Sequence, residues 1–148
     1  MKHLLELIKK YEGCHKRQAD GTLIAYKCPA GVWTIGWGST GRYIKEGTVW
    51  TQEKADERLA KDAQTAIDAA LKASPILQGA DFKLAAIADF VYNLGIGNYQ
   101  SSTLKKRVDA GNWLEASQEI RRWNKAGGKV LAGLTARRED EAKLLMRS

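Results

Sequence analysis

Cysteine and histidine are scarce in this chain: two of each in 148 residues, Cys14, Cys28, His3 and His15, at spacings unlike those of a zinc site. No metal and no other cofactor is therefore expected. A Cys14–Cys28 disulfide is conceivable across a hairpin, but in a reducing compartment both thiols stay free, and Cys14 then reads as a small buried hydrophobe. Long apolar runs are also missing. Lys9 and Lys10 interrupt the first apolar segment, so neither a signal peptide nor a membrane span is expected, and the product should accumulate in the cytoplasm that makes it. Sustained heptads are absent, which predicts a monomer. Neither metal-finger spacing nor a ribonucleoprotein-type aromatic strand occurs, so no nucleic-acid partner is expected.

What is present bounds the class. A hydrophobic content of 44% and a charged content of 28% suit one compact domain and argue against disorder. The net charge of +7 and pI near 9.5 predict attraction to polyanions such as nucleic acid, anionic lipid or bacterial envelope polymers. Charge alone does not choose among them.

The informative stretch is residues 11–40. Leu4, Leu5, Leu7, Ile8 and Tyr11 recur at helical intervals and Gly13 stops the helix, which places Glu12 on the last turn. The helix dipole there favours the neutral form of an acid, the form a proton donor needs. The plainer alternative is a solvated helix end. Asp20, Gly21 and Thr22 signal a turn, 23–27 reads as a strand, Pro29, Ala30 and Gly31 form a second turn, and 32–37 reads as a second strand. The hairpin brings Cys28 and Thr34 towards one cleft. Gly36 and Gly38 permit close approach of a ligand or another backbone.

Residues 41–49 read as an irregular connector. Thr51 then caps a long helix that ends near Ser74 and Pro75. Asp81 is expected to cap a uniformly apolar helix over 82–94 that forms a buried centre, with Gly95 as its stop. Short helices follow near 101–109 and 113–123, then a flexible basic loop at 125–129 and a final helix over 135–146.

These residues match a family. Glu12-Gly13, then Ala25-Tyr26-Lys27-Cys28, then Trp33-Thr34-Ile35-Gly36-Trp37-Gly38 resemble the signature of the phage-type lysozymes, glycoside hydrolase family 24, in which Glu, eight residues, Asp or Cys, five residues and Thr precede Ile-Gly-aromatic-Gly-His. Five residues separate Cys28 from Thr34, as in the family, but fifteen separate Glu12 from Cys28, seven more than usual. The extra length fits a longer turn around 15–22. Ser39 stands where many members have His. Tyr92-Asn93-Leu94-Gly95, Ser101-Ser102-Thr103-Leu104, Gly127-Gly128-Lys129-Val130 and the Gly-Leu-x-x-Arg-Arg-x-x-Glu run ending at Glu141 resemble further landmarks in order, so the resemblance covers nearly the whole chain.

The resemblance implies an α+β, mainly helical lysozyme-like fold within a single domain, 1–148: a first helix at 1–13, a small β-hairpin lobe at 14–50, a connecting helix at 51–74 and a helical lobe at 75–148. It implies an endolysin that cuts the β-1,4 bond between N-acetylmuramic acid and N-acetylglucosamine in bacterial peptidoglycan, reaching the wall once a holin has permeabilised the membrane. Glu12 is then the acid, Cys28 the second catalytic group and Thr34 the residue that orients water. Trp37 offers an indole face for sugar, as does Trp33. Asn93 is expected to face the sugar cleft, and one of Arg137 and Arg138 to orient Glu12. The alternatives are a polar helix end for Asn93 and a solvated helix face, pairing with Glu139 and Glu141, for the arginines. Asp20 competes with Cys28 but lies in a turn where Asp is usual. The basic surface would also favour anionic envelope lipid or lipopolysaccharide. Two other functions stay open: a wall-binding module without activity, and a basic membrane-active antimicrobial protein using the final helix.

Overall fold

The computed structural model describes residues 1–13 and 16–148. The expectations for Cys14 and His15, including the Cys14–Cys28 disulfide, lie outside the described residues. The chain divides into two compact units, one of residues 8–62 and one of residues 1–7 with 63–148. Helices α1 (Lys2–Glu12) and α2 (Gln52–Ala73) each contribute residues to both. No described helix is long and apolar enough to cross a membrane.

The smaller unit carries four two-residue strands, β1 (Leu23–Ile24), β2 (Tyr26–Lys27), β3 (Trp33–Thr34) and β4 (Val49–Trp50). β1 pairs antiparallel with β4, Leu23 opposite Trp50, and β2 pairs antiparallel with β3, Tyr26 opposite Thr34. The strand expected over 23–27 is thus split. Ala25 N–H turns to the Thr48 carbonyl at 2.9 Å, so residues on either side of it join different partners. The end of the connector expected to be irregular supplies one of them, β4. Strands this short do not stand alone. They are held by Leu23, Ala25, Ile35, Ile44, Trp50 and Ala55, which bury together with Trp33 and Trp37 packed against them. Thr51 caps α2 as expected, its Oγ1 accepting the Lys54 N–H at 3.1 Å.

The larger unit is helical: a 3-10 turn at Pro75–Leu77, then α3 (Asp81–Leu94), α4 (Ile96–Gln100), α5 (Thr103–Asp109), α6 (Trp113–Arg121) and α7 (Ala132–Leu145). Asp81 is not a cap: it is the first residue of α3, where its charge meets the positive end of the helix dipole, and Ala80 precedes it without a side-chain bond. True caps are Ser102 and Asn112, whose oxygens accept the N–H groups of Lys105 and Glu115. The loop expected to be flexible at 125–129 is a hairpin, β5 (Lys125–Ala126) with β6 (Lys129–Val130). Gly127 and Gly128 supply the positive φ values, +58° and +79°, that its two-residue turn requires.

α3 is the buried centre, as its composition predicts, and it carries one charge there. Asp89 is fully buried and accepts two hydrogen bonds from Arg137 of α7, Nε to Oδ2 and Nη2 to Oδ1, each 2.8 Å. Beside it Arg138 Nη2 donates to Asn93 Oδ1 at 2.8 Å and to Glu141 Oε2 at 3.0 Å. Burial raises the Asp89 pKa, but the hydrogen bonds from Arg137 and Glu141 and the charges of Arg137 and Arg138 outweigh it, leaving the carboxyl below its ordinary value. Glu141 goes the other way: burial, then the hydrogen bond and charge of Asp89, push it well above the usual carboxylate range against the opposing arginines. Glu141 also lies against the Arg138 guanidinium, Oε1 at 2.7 Å from Nε, so its carboxyl sits between a cation and a second carboxyl.

Asp89→Asn is expected to lower the unfolding free energy at pH 7 by about 3–5 kcal/mol, the cost of stranding one member of a buried pair. The folded pKa of Asp89 lies below its unfolded value, so its contribution is present above about pH 4 and is lost as pH falls through the folded value. Urea titrations at pH 7 and pH 3 check both points. A variant within about 1 kcal/mol of wild type at pH 7 would contradict this role of the α3–α7 contact.

Candidate active site

Glu12 sits half-buried on the last turn of α1, and Gly13 leaves the helix at φ +62°. Its carboxylate lies against the backbone of Gly38. A Cβ placed on Gly38 would fall 2.8 Å from Glu12 Oε1 and 2.9 Å from Cδ, closer than real contacts allow, and φ there is +84°. Gly38 belongs to a tight turn closed by reciprocal hydrogen bonds between Ile35 and Ser39, N to O at 3.0 and 2.9 Å. The same turn presses on α2, where a Cβ on Gly36 would meet the Ala55 methyl at 3.0 Å. Both glycines singled out in the sequence thus mark close approach, one to a helix and one to the candidate acid.

The β2–β3 hairpin positions the other two residues. Its loop is closed by Cys28 N–H to Val32 O at 2.9 Å and Gly31 N–H to Cys28 O at 2.8 Å. Cys28 is a half-buried free thiol. The Val32 N–H, then the Ala30 N–H and the Thr34 hydroxyl, are placed to bind the thiolate, and against the opposing effect of burial they pull its pKa below the ordinary thiol value. Thr34 is buried and its one hydroxyl proton goes to the Val32 carbonyl at 3.0 Å, from which it can rotate to an ionised Cys28. Asp20 is committed elsewhere. Its Oδ1 accepts both the Thr22 N–H at 2.9 Å and the Thr22 hydroxyl at 2.6 Å, the turn role that its neighbour Gly21 predicts. These bonds hold its carboxyl below the usual range.

Trp37 packs half-buried against the apolar cluster of the smaller unit and donates its indole N–H to Asp56 Oδ1 at 2.8 Å. Lys9 Nζ lies 5.7 Å from the ring centroid. Trp33 is likewise part of that packing, with Lys27 Nζ over it. In the larger unit Asn93 is half-buried near the end of α3 and shares Arg138 with Glu141. The alternative of a solvated face for the two arginines fails, because Arg137 is 3% and Arg138 0% exposed. Their anticipated partner Glu139 binds Arg121 instead, at 2.8 Å. Structure thus brings Cys28 to Thr34 and Arg138 to Asn93, and adds Gly38 to Glu12.

Sequence reasoning missed Asp56 and Asp89 as partners; it named Glu141, which does bind Arg138, but on a solvated face and not a buried one. Asp89 left a usable signal: a single acid inside an otherwise apolar helix must find a cation. Asp56 left none, since an acid on an amphipathic helix looks solvated. Ser39 is buried, and its hydroxyl has no hydrogen-bond partner among the described residues. No group of three or more metal-binding side chains occurs among the described residues.

Comparison with known proteins gives the family and the fold. The family model for phage lysozyme matches residues 9–141. The endolysin of Bacillus phage B103 is 35% identical over 144 residues, 96% of this chain, which spans only 52% of that protein's length. Among solved structures, the endolysin of Escherichia coli O157:H7 phage FAHEc1 superposes with a TM-score of 0.80 at 31% identity, over 99% of this chain and 92% of that one. The muramidase domain of SpmX from Asticaccaulis excentricus gives 0.81 at 30% identity, over 100% and 97%. A mainly helical fold with small antiparallel hairpins, a carboxylate seated on a glycine turn and a family match across most of its length place this chain in the phage lysozyme family of enzymes.

Proposed function

We propose that this chain is an endolysin that hydrolyses the β-1,4 bond between N-acetylmuramic acid and N-acetylglucosamine of bacterial peptidoglycan, releasing phage by lysing the host. The observation that supports it most directly is the Glu12 carboxylate, half-buried at a helix end against Gly38, in the same compact unit as a thiol whose ionisation is favoured by its own turn. Glycoside cleavage needs a proton for the departing oxygen and a second group that activates water or meets the positive charge growing on the sugar. Glu12 donates the proton. Cys28, as thiolate, is the second group, and the Thr34 hydroxyl orients the water.

Trp37 and Asn93 contact the sugar chain. With Asn93 Oδ1 bound to Arg138, its amide NH2 is the group that faces sugar, and Arg137 and Arg138 act by holding α7 to α3. A holin opens the way to the wall. The net charge of +7 draws the enzyme to anionic wall polymer, lipid or lipopolysaccharide, so binding should weaken with salt.

Glu12→Gln keeps the shape of the acid without a proton to give. It is expected to retain murein binding while its release of reducing ends falls by about 10²–10⁴-fold. Loss of binding together with activity would count against the assignment. Asp20→Ala should stay within about threefold of wild type, because its carboxylate serves a turn; a loss of orders of magnitude would move the second role from Cys28 to Asp20.

The Cys28 pKa sets a pH dependence. Activity that needs thiolate rises as the thiol ionises, so the ascending limb of kcat against pH should have its midpoint below the roughly 8.5 of a free thiol. In Cys28→Asp that limb should move down into the carboxylate range, near pH 4. A limb that stays in place would show that Cys28 does not titrate in the reaction.

A further inference from the structure

The chain departs from the spacing of its family by the additional residues between Glu12 and Cys28, and the described part of that segment, 16–22, is an ordered structure of its own. Gln18 N–H bonds Thr22 O at 2.7 Å, Gly21 N–H bonds Gln18 O at 3.0 Å, Asp20 closes on Thr22, and Ile24 N–H reaches Lys16 O at 3.1 Å. One side chain leaves this turn for another element. Arg17 Nη1 donates to Gly21 O at 3.2 Å, and Nη2 donates to Gln52 Oε1 at 2.5 Å, on the first turn of α2.

From Gln52 the contacts continue. Gln52 Nε2 donates to Asp56 Oδ1 at 2.9 Å, and the same oxygen receives the Trp37 indole N–H at 2.8 Å. Gln52, Ala55 and Asp56 stand at i, i+3 and i+4, on one face of α2. Ala55 meets Gly36, and Asp56 meets Trp37, so both contacts fall on the turn whose third residue, Gly38, abuts Glu12. That turn gains nothing from the Ser39 hydroxyl among the described residues.

We infer that segment 16–22 is a positioning element for the general acid: Arg17 fixes Gln52, Gln52 and Trp37 share Asp56, and the pinned Trp37 sets Gly38 against the Glu12 carboxylate. This rests on the proposed function, because it gives the relay a reacting group to place. None of Arg17, Gln52 and Asp56 touches the substrate in this scheme. They act through Trp37 and Gly38, so their loss changes the geometry of proton transfer more than the sugar contact of the Trp37 face.

The test is a kinetic series on the full chain with solubilised peptidoglycan, accompanied by the ¹H–¹⁵N signal of the Trp37 indole, identified by its loss in Trp37→Phe. Arg17→Ala, Gln52→Ala and Asp56→Ala should each lower kcat roughly 3- to 10-fold, the effect of one hydrogen bond's net contribution, with a smaller change in KM. Each should also move the indole signal. Asp56→Asn, which keeps an acceptor oxygen, should recover most of the rate. Arg17→Ala combined with Asp56→Ala should be no slower than the slower single variant, since both cut one path. An active wild type whose kcat is indifferent to these changes, or whose losses fall mainly in KM or simply multiply, overturns the inference alone. A wild type that releases no reducing ends, while the indole signal still follows the series, overturns the proposed function and leaves the relay no acid to position.

Discussion

A carboxylate on the last turn of a helix has freely rotating bonds and water on several sides, so its position is set by what it rests against. In this protein peptide backbone lies directly against it. Gly38 brings its Cα up to Glu12 because it has no side chain, and any Cβ at that place would displace the acid. The demand propagates outward. Gly38 can hold its φ of +84° only within the turn closed by Ile35 and Ser39, and that turn keeps its height because Gly36 lies on Ala55 and Trp37 is tied to Asp56. The short strands, too small to be stable alone, are the frame for this one contact.

The two compact units use polar groups differently. In the smaller one, buried Thr34 and Ser39 apart, they are arranged around exposed or half-buried atoms, and each bond contributes modestly. In the larger one Asp89, Glu141, Arg137 and Arg138 are withdrawn from water altogether, where an unmatched charge is costly and a matched set fixes one arrangement of α3 on α7. Burial and the neighbouring Asp89 carboxyl push the Glu141 pKa up, against the pull of the arginines. Tyr99 shows the same effect in milder form. Burial pushes its hydroxyl up to about 12 while Ser74 bonds it at 2.7 Å.

Much of the fold is legible in the sequence where local chemistry decides. The end of α1 at Glu12, the Thr51 cap, the buried character of α3 and the Gly95 stop all follow from periodicity and capping residues. Elements decided by long-range partners are less legible. The strand over 23–27 reads as continuous until Ala25 finds Thr48, and the basic Gly-Gly loop reads as flexible until Lys125 and Val130 pair across it. At the site, Gly36 and Gly38 announce close approach but not to what. Arg137 and Arg138 announce charge but not its burial, because their partner Asp89 lies 48 residues from Arg137 along the chain.

Which bond the protein cuts is read from the chemical identity of the new chain end. Purified peptidoglycan treated with the protein would be reduced with borohydride and hydrolysed, and its amino sugars analysed. A muramidase leaves N-acetylmuramic acid at the reducing end, so muramicitol is the new alcohol predicted. Glucosaminitol in its place would show that the opposite glycosidic bond is cleaved, and new amino groups without either alcohol would show a peptide or amide bond broken. Either result would contradict Glu12 as the acid, Cys28 as the second group and Thr34 as the residue that orients water in muramidase cleavage.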